Sequence, residues 1–343
     1  MTASPTDSAP TRFGVMGTGR ITRRLVADLQ STDAVSVTAI ASRSQERADW
    51  FASQYGIPAA VEGYQALLDR DDIDAVYLSL PPALHAHWCV RAAEAGKQIL
   101  CEKPLATSAD QAHQIAQACQ RYGVRWLDAT GWLHHRRTAE MRALASGGRL
   151  GRLGHITAAV SFYRPFQSGE HRLDPALGGG CLLDLGWYTA GLACYIAGRS
   201  PNRVFADCIE ENGVPLRTNA MLWFDDDLTA SFSCGYDTAT RKWFEVAGSD
   251  ASVICDDFTR PWAERPTRFW VHDASGEVQS HETSDRQEQR MIQALIGQQP
   301  LDEFNQLALQ TQTVLDALAE SARRKQPVVV EFDVRPDAPS PSR

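Results

Sequence analysis

The chain has 343 residues, more than one hydrophobic core normally serves, so two domains are expected. Hydrophobic residues make up 43% and charged residues 22%, the balance of a globular protein. The formal net charge of −8 argues against nucleic acid as the main partner, and no run of roughly 18 or more apolar residues is available to span a membrane.

In chain order, residues 1–11 are rich in Ser, Thr, Pro and Ala, with neither a basic start nor an apolar stretch. They read as a short disordered arm and not as a Sec-type leader. Short apolar runs and helical stretches then alternate to about residue 130. Strands are expected over 12–16, 35–41, 75–80, 98–101 and 124–128. Helices are expected over 19–30, 44–55, 83–95 and 108–121, with Ser44 as an N-cap. Such alternation needs crossover connections and so a parallel sheet.

The pattern changes after a helix near 138–145. Strands dominate over 156–164, 203–210, 217–225, 228–236, 243–247, 252–255 and 267–272, with Asp225-Asp226-Asp227 as a hairpin turn. A helix near 180–197 interrupts them, and a helix over 301–324 and a strand over 328–332 finish the series. The expectation is an α/β protein: a parallel-sheet domain over 12–130, an α+β domain on a large, mostly antiparallel sheet over 131–334, and a flexible tail over 335–343. The eight cysteines contain no CxxC pair and lie mostly in apolar runs, which suggests reduced, buried thiols and a cytoplasmic protein.

The first strand runs into Gly17-Thr18-Gly19-Arg20-Ile21-Thr22. Gly17 and Gly19 fit the first two glycines of GxGxxG: one makes the tight turn, the other lets backbone N–H groups approach a pyrophosphate at the helix N-terminus. Thr22 stands at the third position, where a small residue is usual, so slightly looser packing is expected there. At the end of the second strand the chain reads Ile40-Ala41-Ser42-Arg43-Ser44, with no acid to bind a ribose 2′-hydroxyl. Ser42 and Arg43 suit a 2′-phosphate, which favours NADP, with NAD as the alternative.

Further motifs follow in a fixed order: Leu80-Pro81-Pro82-Ala83-Leu84-His85, then Ala95-Gly96-Lys97, then Cys101-Glu102-Lys103-Pro104, and finally Gly178-Gly179-Gly180 leading to Asp184 and Tyr188. Over nearly its whole length the chain resembles the glucose–fructose oxidoreductase / inositol dehydrogenase family, nearest to its sugar-oxidoreductase and dimeric dihydrodiol dehydrogenase branch. The resemblance implies hydride transfer between a nicotinamide and a secondary alcohol or carbonyl of a sugar, polyol or diol. It also implies a homodimer or homotetramer. Lys103 and Tyr188 are then expected to carry the acid–base work, with Asp184 orienting a substrate hydroxyl or the lysine. Leu80, Pro81, His85 and Glu102 join Gly17, Thr18, Gly19, Arg20 and Ile21 around the cofactor.

The residue chemistry agrees. Oxidising a carbinol requires removal of its hydroxyl proton, and a phenol serves if a nearby ammonium lowers its pKa. Asp184 and Tyr188, four apart, share one face of the predicted helix. Trp132, His134 and Arg172 are weaker substrate candidates, and the basic cluster Arg136, Arg137 and Arg142 is read as a solvated face. Neighbouring His134 and His135 suggest no third ligand, so no metal is expected. No Tyr-x-x-x-Lys, P-loop, His-Glu-x-x-His or Gly-x-Ser-x-Gly elbow is present. The remaining alternatives are redox-assisted sugar elimination with a recycled cofactor and a non-catalytic NADP(H)-binding regulator.

Overall fold

The computed structural model describes residues 9–163, 165–167, 169–261 and 266–331. Six strands make a parallel sheet in the order β3-β2-β1-β4-β5-β6: β1 (Thr11–Met16), β2 (Val35–Ser42), β3 (Ala59–Glu62), β4 (Ala75–Leu78), β5 (Gln98–Cys101) and β6 (Trp126–Asp128). Its helices are α1 (Thr22–Gln30), α2 (Gln45–Tyr55), α3 (Tyr64–Leu68), α4 (His85–Glu94) and α5 (Ala109–Tyr122). All four residues of β4, Ala-Val-Tyr-Leu, are buried, as expected of a central strand covered on both faces. Ser44 caps α2 by accepting from Arg47 N, as the sequence suggested, and Ser108 caps α5 by accepting from Gln111 N.

The second half begins with α6 (Arg136–Ser146), β7 (Leu153–Ser161), α7 (Cys181–Asp184) and α8 (Gly186–Ala197). It continues with β8 (Arg203–Glu211), β9 (Val214–Trp223), β10 (Thr229–Gly235), β11 (Arg241–Gly248), β12 (Ala251–Cys255), β13 (Thr267–Asp273) and β14 (Val278–Thr283). It ends with α9 (Gln287–Ile296), α10 (Asp302–Arg324) and β15 (Val328–Val329). Nine strands form one sheet, β14-β13-β12-β11-β7-β10-β9-β8-β15, antiparallel except where β7 and β10 run together. Asp226 and Asp227 both take φ of 61°, the left-handed pair that a tight hairpin between β9 and β10 requires.

Several expectations are corrected. The helix foreseen from residue 19 starts at Thr22, because Gly17–Ile21 form the turn. The single helix foreseen over 180–197 breaks at Leu185 into α7 and α8. Thr22 is fully buried rather than loosely packed: its Oγ1 lies 2.8 Å from Ser79 Oγ and 3.3 Å from Gly17 O. The elements β3, α3, β14 and α9 were not foreseen. The ends of the expected strands at Arg164 and Phe332, residues 1–8 of the arm and the tail over 335–343 lie outside the described residues.

Helix α9 carries a consequence for domain organisation. Although it follows eight strands of the second sheet in sequence, its Met291, Ile292, Ala294 and Leu295 bury themselves with Phe13, Val15, Leu25 and Leu29 on one face of the parallel sheet. Arg125, just before β6, holds the far end of α9 by donating to Leu295 O at 2.8 Å and Ala294 O at 2.9 Å. Helix α8, apolar on all sides, lies inside the second domain. Trp187 at its start donates to Thr130 Oγ1 at 2.8 Å and to Asp128 Oδ2 at 3.2 Å, which pins the helix to the end of β6.

Candidate active site

The turn after β1 is built for close approach. Gly17 has φ of +99°, and a Cβ there would sit 2.3 Å from Ser79 O. No side chain caps α1 at Ile21, and among the described residues no acceptor meets the amides of Thr18, Gly19 and Arg20. An uncapped helix start behind a glycine turn fits a dinucleotide pyrophosphate. At the end of β2, Ser42 is buried and its Oγ accepts from Ser44 N at 3.5 Å, while Arg43 is exposed. Arg47, one turn along, was missed by sequence reasoning. Its Nε donates to Thr18 Oγ1 at 2.6 Å and its Nη2 to Thr18 O at 3.1 Å, so a guanidinium lies directly against the glycine turn.

His85 is fully buried. Its Nδ1 lies 2.9 Å from Pro104 O and its Nε2 2.9 Å from Leu80 O. Burial pulls its pKa down, so the ring is neutral and braces the Leu80-Pro81 loop against the turn after β5. The Lys103–Pro104 bond in that turn is cis. Glu102 accepts from Tyr77 Oη at 2.7 Å. Burial pushes its carboxyl up, partly offset by Tyr77, Lys103 and Arg260.

The two domains meet at Lys103. Its Nζ donates to Asp184 Oδ1 at 2.6 Å and to Asp184 O at 2.7 Å, and it lies 4.6 Å from the centre of the Tyr188 ring. The other carboxylate oxygen of Asp184 accepts from Arg172 Nε at 2.8 Å and from Tyr236 Oη at 2.9 Å. Arg172 is held in turn by Glu170 at 2.9 Å. Burial alone would raise the Asp184 carboxyl, but Lys103 and Arg172 outweigh it and hold it far below the carboxylate range. Burial works against the Lys103 ammonium, yet Asp184 and Tyr188 keep its pKa above the ordinary value. With both oxygens engaged inside the protein, Asp184 orients the lysine and is not free for a substrate hydroxyl. The expected activation of Tyr188 is reversed in sign. Burial raises its pKa more than Lys103 lowers it, so the phenol stays protonated.

The glycine run explains how Arg172 arrives. A Cβ on Gly179 would meet the carbonyl oxygens of Arg172, Asp174 and His171 at 2.7–2.8 Å. Gly179 N donates to Asp174 O and Gly180 N to Arg172 O, which folds residues 171–174 back over α7. Tyr236, just after β10, was also missed. It packs against Phe162, tilted, and Phe166, edge to face, with ring centres 5.2 and 5.0 Å away, and makes an aromatic wall beside Asp184.

Two weaker candidates go elsewhere. The 3₁₀ turn at Gly131–His134 winds Trp132 into the core, 1% exposed, against Tyr195 and Phe258. His134 is buried against Phe304 and its pKa is pulled down to about 3 by burial. Among the described residues no group of three or more His, Cys, Asp or Glu is placed to hold a metal, and no helix is long and apolar enough to cross a membrane.

Residues 11–128 match the Gfo/Idh/MocA family description "oxidoreductase family, NAD-binding Rossmann fold", and residues 138–254 match the C-terminal domain of that family. The chain is 31% identical to the dTDP-3,4-didehydro-2,6-dideoxy-α-D-glucose 3-reductase of Actinomadura kijaniata, over 93% of this chain and 98% of that protein. It is 35% identical to an NADP⁺-dependent D-xylose 1-dehydrogenase of Haloferax volcanii, over 70% of this chain and 74% of the relative. The crystal structure of a 3-ketoreductase from Actinomadura kijaniata, in complex with NADP and TDP-benzene, superposes with a TM-score of 0.85 at 30% identity. That match covers 91% of this chain and 98% of the other.

Proposed function

Because the chain belongs to the Gfo/Idh/MocA oxidoreductase family, we propose that it is an NADP-dependent oxidoreductase acting on a secondary alcohol or carbonyl of a sugar or sugar derivative. The observation that carries this reading is the convergence of Lys103 at the end of β5 with Asp184 and Tyr188 from the second domain, beside a turn shaped for a pyrophosphate. NADP is favoured by the exposed Arg43 and by Arg47 against Thr18, with Ser42 at the strand end, and by the cofactor named for the relatives at 30% and 35% identity. Gly17 to Ile21 would hold the pyrophosphate, and Leu80, Pro81 and Glu102 would line the nicotinamide side.

A bound nicotinamide supplies or takes the hydride; this chain's own residues manage the proton. Lys103 spends two of its three N–H bonds on Asp184, which leaves the third to point at a substrate oxygen. Tyr188, kept protonated by burial, donates to a carbonyl oxygen as it gains charge. Arg172 and Tyr236 fix Asp184, so the lysine does not wander. The aromatic wall of Phe162, Phe166 and Tyr236 also suits a flat, apolar diol, and so keeps a trans-dihydrodiol dehydrogenase as the second reading. A homodimer or homotetramer in the cytoplasm completes the proposal.

The first test is a fluorescence titration with NADPH and with NADH, followed by a sugar and diol screen with NADP⁺. Tight NADPH binding with much weaker NADH binding is expected. Folded, cofactor-free protein that binds neither would overturn the reading.

A further inference from the structure

Asp184 divides its two carboxylate oxygens between two cations. Oδ1 accepts from the Lys103 ammonium at 2.6 Å, and Oδ2 accepts from Arg172 Nε at 2.8 Å and from Tyr236 Oη at 2.9 Å. An arginine beside a carboxylate does not favour this division. Its guanidinium fork matches both oxygens of one carboxylate and binds them through two parallel hydrogen bonds. An Arg172 engaged in that way would occupy Oδ1 and leave Lys103 without it.

Glu170 stands against that arrangement. Its Oε1 accepts from Arg172 Nη1 at 2.9 Å, a different nitrogen from the one that Asp184 holds. The guanidinium is thus stretched between two carboxylates and meets each with a single nitrogen. The backbone fixes where both side chains start: Leu173 N donates to Glu170 O at 3.0 Å, and Gly180 N donates to Arg172 O at 2.8 Å. His171, between them in sequence, places Nδ1 3.0 Å from the same Oε1. Burial and Arg172 pull its pKa down, so near neutrality it is a neutral partner and not a rival cation. Contacts of 2.6–2.9 Å therefore run without a gap from Glu170 through Arg172 and Asp184 to Lys103 Nζ. The side chains of Glu170 and Asp184 keep only 20% and 15% of their surface exposed, so solvent screens the series weakly.

We propose that Glu170 is a positioning residue for the reaction: by holding Arg172 Nη1 it keeps the guanidinium off Asp184 Oδ1 and reserves that oxygen for Lys103. The inference rests on the reading, proposed above, that Lys103 points at a substrate oxygen. It adds to that reading a side chain that acts on the lysine through two others.

The chain's lysines are Lys97, Lys103, Lys242 and Lys325, so nuclear magnetic resonance of protein labelled at lysine Cε reads each one separately, with Lys103→Arg giving the assignment. The test compares wild type, Glu170→Ala and Glu170→Gln, with circular dichroism to show that each is folded. Glu170→Ala should move the Lys103 resonance and lower its titration midpoint by about one pH unit, a tenfold loss in proton affinity, because the Asp184 contact is what holds the proton on. Glu170→Gln keeps the reach and a weaker acceptor, and should fall between the two. Lys97, Lys242 and Lys325 should not move. In an Arg172→Met background there is no fork to turn, so adding Glu170→Ala should leave Lys103 where Arg172→Met puts it. A Lys103 signal that ignores Glu170→Ala would overturn the inference. So would one that moves as far in the Arg172→Met background, since Glu170 would then act by its charge alone. Failure of wild type to bind NADPH or NADH in a fluorescence titration would instead sink the underlying reading.

Discussion

Tyr188 presents its ring, not its hydroxyl, to the Lys103 ammonium, and burial holds the phenol protonated. The consequence is directional. Reduction uses the phenol as it stands, whereas oxidation needs the phenol first to lose its own proton to solvent, which burial resists, before it can accept the proton of the substrate hydroxyl. Turnover in the oxidising direction is expected to climb with pH into the alkaline range. Reduction should stay flat near neutrality and fall only above the ordinary range for tyrosine. Tyr188→Phe should cost about 10²–10⁴-fold in turnover with NADPH affinity nearly intact. Pre-steady-state rates and a binding titration read the two separately, and wild-type turnover in the variant would remove Tyr188 from the chemistry. Asp128 gives a stability prediction of opposite character. It is buried under Trp187 and Thr130, and burial raises its pKa from 3.8 to about 6. The native state then holds its proton more tightly than the unfolded state. The contribution of Asp128 to stability is fully present below 3.8 and is lost as pH rises through the window up to about 6. That gap corresponds to about 3 kcal/mol. Denaturant unfolding of Asp128→Asn should therefore gain on wild type by about 3 kcal/mol across that window. A constant difference at all pH values would show that the carboxyl titrates normally. At this scale Lys103, Asp184 and Tyr188 were legible because each sits in a local motif. Tyr236 and Arg47 were not. Tyr236 meets Asp184 across 52 residues and Arg47 meets Thr18 across 29, contacts made by sheet and helix packing that no local pattern encodes.

Among elements, the glycine run before α7 makes the sharpest claim. Gly179 has an ordinary φ, so its size alone is at issue: any Cβ collides with three backbone carbonyls that cannot turn away. Gly179→Ala is expected to cost about 1–3 kcal/mol and to lift Arg172 from Asp184, with turnover falling about 10²-fold. Gly148, with φ of +77° and nothing within 4 Å of a Cβ, is the control: its alanine variant should lose about 1 kcal/mol and keep its activity. Equal losses in turnover would show that the run matters only for backbone freedom. The same contrast explains which elements could be read. β4 announces itself by unbroken apolar residues, β5 by Ile99-Leu100-Cys101, and α5 by its Ser108 cap and apolar stripe. β14 has no such signature. It is an edge strand, largely exposed and polar, held by backbone pairing to β13. β3, with four residues and no fully buried one, is equally faint. Trp132 and His134 follow β6 as the resemblance implied, but a 3₁₀ turn redirects both into packing.

At the scale of the whole molecule, the parallel-sheet domain is not continuous in sequence. Its strands end at Asp128, but one of its two faces is finished by α9, which returns after eight of the nine strands of the other sheet. Neither periodicity nor composition reveals this, because an amphipathic helix shows that it has an apolar face and not which sheet it covers. Met291, Ile292 and Leu295 are at most 1% exposed, and burying three such side chains contributes about 5–9 kcal/mol as an upper bound. That is comparable with the entire stability of a typical domain, about 5–15 kcal/mol. A fragment ending at residue 130 would therefore keep all six strands and the glycine turn yet leave Phe13, Val15, Leu25 and Leu29 uncovered. It is expected to bind a hydrophobic dye, to lose cooperative melting and to bind NADPH poorly. Returning residues 285–300 on a long Gly-Ser linker should restore a cooperative transition. Calorimetry decides the matter: a fragment melting as sharply and as high as the whole chain would make α9 a passenger. Partial restoration by the linked helix would instead show that the dinucleotide domain draws its stability from both ends of the chain. The β12–β13 loop, whose Arg260 pairs with Glu288 of α9 and Asp28 of α1, then spans a joint between two halves that depend on each other for folding before either meets a substrate.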